Sequence, residues 1–160
     1  MSGETLSGIL WGPIKRRRDE LAASTVFQEW VGAADAEEAL EYIFIFEVDD
    51  EPNAGRYAVI MPGGGLGLNR TATGTGMAAF NRNHASRIGL VETVAWEATA
   101  AEDFITDVSS ILLDLLGLAA TTIWETLQEL PETEERGFRW QHQDGRKGYQ
   151  KYFEITEIGG

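Results

Sequence analysis

The chain has 160 residues, 13 Lys and Arg against 26 Asp and Glu, a formal net charge of −13, and Cys 0. Disulfides and thiolate metal centres are therefore excluded, and generic phosphate binding is disfavoured because the chain repels nucleic acid and anionic membrane at long range. The length and a hydrophobic content of 43% suit one globular domain spanning residues 1–160, since about 150 residues bury roughly 68–70% of their unfolded surface.

From Thr5 to Ala23 the residues Leu6, Ile9, Leu10, Ile14 and Leu21 recur at helical spacing. Pro13 is expected to kink or interrupt that helix, having no amide hydrogen to give the preceding turn. The basic run Lys15-Arg16-Arg17-Arg18 is expected on the helix's wet face or against acidic surface of a neighbouring copy, ahead of nucleic-acid contact. It follows the short apolar stretch rather than preceding it, which argues against a signal peptide. No apolar run nears the roughly 20 residues that span a bilayer; Ile111 to Ala120 comes closest and is interrupted by Asp114. Thr25 with Gln28 reads as a helix cap, and the short helix carrying Phe27, Trp30 and Val31 stops at Gly32. Asp35 with Glu38 marks one more turn.

Glu41 to Val48 places Tyr42, Phe44 and Phe46 on one side and Ile43 and Ile45 on the other, so both faces are apolar and a central strand is predicted. Asp49 to Gly55 is turn chemistry, and Arg56 to Met61 is expected to return antiparallel. Pro62 to Arg87 is rich in Gly, Thr and Asn and carries few large apolar anchors beyond Met77 and Phe80. It reads as a long loop, an extended arm or lid whose order depends on a partner. Leu90 to Ala98 reads as strand. Thr99 with Glu102 opens a helix whose buried stripe is Phe104, Val108, Ile111, Leu112 and Leu115, with Asp103, Asp107 and Asp114 wet and Gly117 at its end. A strand over Thr121–Leu130, a polar excursion over 131–148 and a final strand over Tyr149–Ile158, with Phe153 and Ile155 inward, complete the chain. The predicted fold is α+β, an antiparallel or mixed sheet of about five strands packed by two main helices on one face.

The glycine clusters Gly63-Gly64-Gly65-Leu66-Gly67 and Gly74-Thr75-Gly76 lack the Lys-Ser/Thr pair and the strand-turn-helix context that phosphate loops need. Turn-forming glycine is the reading adopted. His84 and His142 have no metal-ligand spacing around them, and nothing places Ser86 and His84 beside an acid as a triad. Asp49-Asp50, Glu37-Glu38 and Glu134-Glu135 read as solvated surface, without calcium-loop spacing, and the sequon Asn69-Arg70-Thr71 has no meaning without secretion. No catalytic, metal or cofactor residue is assigned, and a non-enzymatic role is expected. Among the five tryptophans, Trp30, Trp96 and Trp124 fit core positions, whereas Trp11 and Trp140 lack an obvious seat. Exposed aromatics of that kind mark protein contacts. The residues expected at interfaces are Trp11, Arg16, Arg17, Arg70, Phe80, Arg82, Arg87, Arg139 and Trp140.

Three stretches resemble small neck and tail-completion proteins of tailed bacteriophages. They are the module from Ile14 through Asp35 into the strand at Tyr42, the helix Phe104–Leu116 with its Ile111-Leu112-Leu113-Asp114-Leu115-Leu116 core, and the ending from Ile123–Leu130 through an acidic loop to Tyr149–Ile155. The resemblance is one of pattern, without an invariant motif, and the 62–87 segment departs from it. It implies a tail terminator, an α+β subunit closing into a ring, preferably a homo-hexamer with a dodecamer as second stoichiometry. Its implied partners are tail tube protein and neck or connector proteins, with DNA passing the channel unbound, no membrane, and a place in the virion after assembly in host cytoplasm. A head–tail connector is the runner-up within that class. An adaptor or chaperone-like binding module, and an enzyme using the glycine-rich segment as a lid, are the readings from other classes.

Overall fold

The computed structural model describes residues 8–48, 55–72, 78–118, 124–134 and 136–159. Side chains are described for the same residues except 8–10, 64–72, 78–84, 118, 124–125 and 158–159. Helix α1 (Gly8–Ala23) leads into α2 (Thr25–Val31), α3 (Ala36–Ala39), a short 3-10 turn (Leu40–Tyr42) and strand β1 (Ile43–Ile45). Strands β2 (Arg56–Ala72) and β3 (Ala78–Thr93), helix α4 (Ala98–Leu118) and strands β4 (Trp124–Glu129), β5 (Arg139–Gln141) and β6 (Lys147–Gly159) follow. The α+β class predicted from the sequence is the one observed, with six strands in one mixed sheet.

The sheet runs β1-β2-β3-β6-β4, with β5 also paired to β6. β2, β3, β6, β4 and β5 pair antiparallel, and β1 lies parallel to β2, Ile43 opposite Ala58 and Ile45 opposite Ile60. The sequence reading of β1 as central, and antiparallel to the next strand, is thus corrected: β1 is a three-residue edge strand. Its two apolar faces have a different cause. Ile43 drops into the core under the helices, while Phe44 meets the Tyr57 ring edge-on at 5.7 Å on the other side of the sheet.

The helices cover one face. Ile14, Leu21, Phe27, Val31, Phe104, Val108, Ile111 and Leu115 pack on Ala58, Ile60, Ile88, Leu90, Tyr149, Phe153 and Ile155. α1 continues through Pro13, so the expected interruption does not occur; burial of Ile14 and Leu21 offsets the one amide that Pro13 cannot offer. The cap of α2 is Ser24, one residue before the predicted Thr25: its hydroxyl accepts from the Phe27 amide at 3.2 Å and donates to Asp114 of α4 at 2.5 Å. The expected stop at Gly32, in the left-handed region at φ 82, and the Asp35–Glu38 cap are both present. α4 begins at Ala98, so Thr99 lies inside its first turn rather than capping it, and it continues through Gly117 to Leu118.

Candidate functional site

The 62–87 segment, expected as a loop, is two long strands. β2 and β3 remain in register from Arg56 opposite Glu92 out to Ala72 opposite Ala78, shifting only between Pro62 and Leu66. Backbone pairing explains how so few anchors suffice: the polar backbone groups that face across the hairpin are satisfied by the partner strand rather than by a core. The hairpin outruns its neighbours. β1 leaves β2 at Ile45 opposite Ile60, and β6 leaves β3 at Gly159 opposite Arg82. Beyond those points the outer edges of both strands have no ladder partner among the described residues, so the segment forms an arm with two open edges.

Where β1 ends, the chain turns sharply. Phe46 has φ 70, a backbone conformation a bulky residue rarely adopts, and its amide donates to the Ile60 carbonyl at 3.0 Å. Phe46 is 47% exposed, and its ring meets that of Trp11, itself 37% exposed, edge-on at 5.3 Å. This aromatic pair sits at the foot of the arm.

Phe46 also borders the second feature, the sheet face that no helix covers. Tyr57, Val59, Val91 and Trp140 form a small apolar cluster there, joined by Phe44, Val48 and Met61. All of these but Phe44 line a concavity of about 490 Å³ to which Glu134, Arg139, His142, Gln150 and Tyr152 also contribute. Gly89 is required on this face, because a Cβ there would stand 2.4 Å from the Tyr152 ring, which lies across it. Burial, with the neighbouring Tyr152 adding to it, pushes the Tyr57 hydroxyl up to about 12, and burial likewise raises Tyr152. The concavity is thus lined by neutral phenols at ordinary pH.

The residues expected at interfaces separate into several environments. Arg17 is the clearest correction: its side chain is fully buried, paired with Glu20 of the same helix and with Glu157 of β6 at 2.9 Å. Arg16 reaches Glu157 too. The basic run therefore clamps α1 to the end of β6 at the base of the arm, an intramolecular role forced by where helical spacing points residue 17. Trp140 does have a seat: it is buried, and its indole N–H donates to the Tyr149 carbonyl at 3.2 Å. Arg87 pairs with Glu154 at 3.1 Å, and Arg139 lies over the Trp96 ring at 5.3 Å. Arg70 and Arg82 fall on the arm at Phe80 and Leu68 register positions; the side chains of Arg70, Phe80, Arg82 and His84 lie outside the described residues, as do residues 1–7, 49–54, 73–77 and 119–123 with the expectations placed on them.

Sequence reasoning missed Glu157, Phe46 and Tyr152. The signals existed only in part: an acid amid the apolar alternation of the last strand hints at a buried partner, whereas the turn at Phe46 leaves no mark in composition. Among the described residues no group of three or more His, Asp or Glu could hold a metal ion, and no helix is long and apolar enough to cross a membrane. No protein-family model and no curated protein matches the chain.

Proposed function

We propose that the chain is a structural ring subunit that uses its arm and uncovered sheet face for contacts between subunits, and that it serves as a tail terminator at the head–tail junction of a tailed phage. The observation that carries the assembly reading is the arm itself. A hairpin of this length projecting beyond the sheet on both edges contributes little to its own core, and open edges are surfaces that proteins either cover or use. On the face that no helix covers, Tyr57, Val59, Val91 and Trp140 are already buried by one another, and the concavity above them is the second surface open to a neighbour. The phage assignment is supported by the pattern resemblance of the three sequence stretches, and the acidic balance suits a channel that passes DNA without holding it.

Light scattering and negative-stain imaging of the purified chain, alone and with tail tube ends, test this reading. Rings of six, or of twelve, are expected. A species that stays monomeric in both settings while binding a small ligand saturably in the Tyr57–Trp140 concavity would replace the structural reading with a binding or enzymatic one.

A further inference from the structure

Charge is distributed along this chain with unusual segregation. Residues 52–91 hold four Arg, at 56, 70, 82 and 87, and no Asp or Glu, whereas residues 19–51 hold 11 Asp and Glu and no Lys or Arg. Arg56 and Arg87 are paired inside the fold with Glu92 and Glu154, each at 3.1 Å. Arg70 lies on the projecting part, and Arg82 lies at its base, on the last rung that β6 reaches. The acidic half of the pattern contains α3, the 3-10 turn and β1, with Glu37, Glu41 and Glu47 exposed. Glu47 follows Phe46 of the exposed Trp11–Phe46 pair directly, Glu41 lies at the other end of β1, and the stretch of β2 edge beside the pair opens when β1 ends at Ile45.

We infer that the acid-free arm of one copy seats on the Trp11–Phe46 edge of a second copy, with Arg70 and Arg82 facing the acidic rim around Glu41 and Glu47. The contact joins two different surfaces of the same chain, so it is head-to-tail, the type that closes into a ring or propagates. The seat offers all three things an added strand uses: a backbone edge, an apolar anchor point and a charge of opposite sign. The Phe46 backbone fits this role, since turning the chain out of the β1 lane both exposes the ring and vacates the lane. Nucleic acid is the competing occupant for two arginines, but here the acid-framed seat lies at the foot of the arm and the chain as a whole is strongly negative.

This inference rests on the ring reading, and the experiment separates the two. Sedimentation velocity at low and moderate salt is run on the full chain, on Arg70→Glu/Arg82→Glu, on Glu41→Lys/Glu47→Lys, and on the two combined, with circular dichroism confirming that each is folded. The wild type should self-associate more tightly at low salt, each charge reversal should weaken association by about tenfold or more, and the combination should restore it. Because the chain has Cys 0, a mixture of Thr71→Cys and Glu47→Cys single variants should cross-link to each other under mild oxidation, and neither should cross-link well alone. A wild type that associates with no response to either reversal, and no 47–71 cross-link, overturns the inference and leaves the ring reading standing. A wild type monomeric at every concentration, with or without tail tube ends, overturns both. Salt-sensitive retention on DNA that Arg70→Glu/Arg82→Glu abolishes, with association unchanged, assigns the arm to nucleic acid and also overturns the inference.

Discussion

Replacing Glu157 by Gln should be among the most damaging single changes available in this chain. Its carboxylate is 7% exposed and faces the fully buried Arg17 side chain at 2.9 Å, with Arg16 on the same group. Breaking one partner of a buried ion pair typically costs about 3–5 kcal/mol, because the remaining charge is left in a medium that does not solvate it. Glu20 still neutralises Arg17 from one helical turn away, so the lower end applies, about 3 kcal/mol. For a chain of this size that corresponds to a fall of about 6–12 °C in Tm. Arg17→Met should cost less than Glu157→Gln, and the double variant should cost clearly less than the sum, with a coupling of about 1.5 kcal/mol or more. Urea unfolding of the four species measures this. A loss under about 1 kcal/mol for Glu157→Gln, or additivity within about 0.5 kcal/mol, would refute the view that this cluster anchors α1 to the sheet.

The remaining predictions concern the two faces of the sheet. Burial raises the Glu92 carboxyl above its ordinary value of 4.5, against the opposing pull of Arg56, and burial raises Asp107 as well, with Asp103 adding to it. A carboxyl raised in the folded state favours folding fully below its unfolded value and loses that contribution as pH climbs through the folded one. Glu92→Gln should therefore gain stability relative to wild type as pH rises from about 4.5 to neutrality; a difference in urea midpoint that is flat or falls with pH would contradict this. Gly89→Ala should cost about 1–3 kcal/mol by driving a methyl into Tyr152, and Tyr152→Ala in the same chain should recover part of it in thermal unfolding. Alkaline titration of tyrosinate absorbance should show a late step near pH 12 that Tyr57→Phe removes; its persistence in that variant would misplace the buried phenol.

Much of the fold was legible because local chemistry and global packing agree where the helices meet the sheet. The stripe Phe104, Val108, Ile111 and Leu115 specified α4, and Phe153 with Ile155 specified the inner face of β6, as both are buried. The failures have a common cause, which is that pairing partners distant in sequence overrode local signals. Glycine and threonine between Pro62 and Arg87 read as loop because strand propensity is mostly a statement about side-chain packing, yet the backbone ladder alone extends both strands there. β1 read as central because two-sided apolarity normally means two covered faces, and the second cover is supplied by Tyr57 and Trp140 rather than by helices. Trp140 and Arg17 looked like surface residues from their polar neighbours, and their buried seats are made by Tyr149 and Glu157, which no periodicity connects to them.

The position of β6 shapes how the molecule reaches its native state. This strand is the last of the described strands in sequence yet sits between β3 and β4, with Ile88 opposite Phe153 and Arg82 opposite Gly159. Closing those contacts requires bringing together segments more than sixty residues apart, and such non-local pairing is slow because loop entropy is lost before any contact rewards it. During synthesis the edge of β3 that β6 will pair, from Arg82 to Thr93, is left open until residues 147–159 have left the ribosome. Completion of the sheet is thereby postponed until β6 is available, and in that interval an unpaired strand edge is exposed to aggregation.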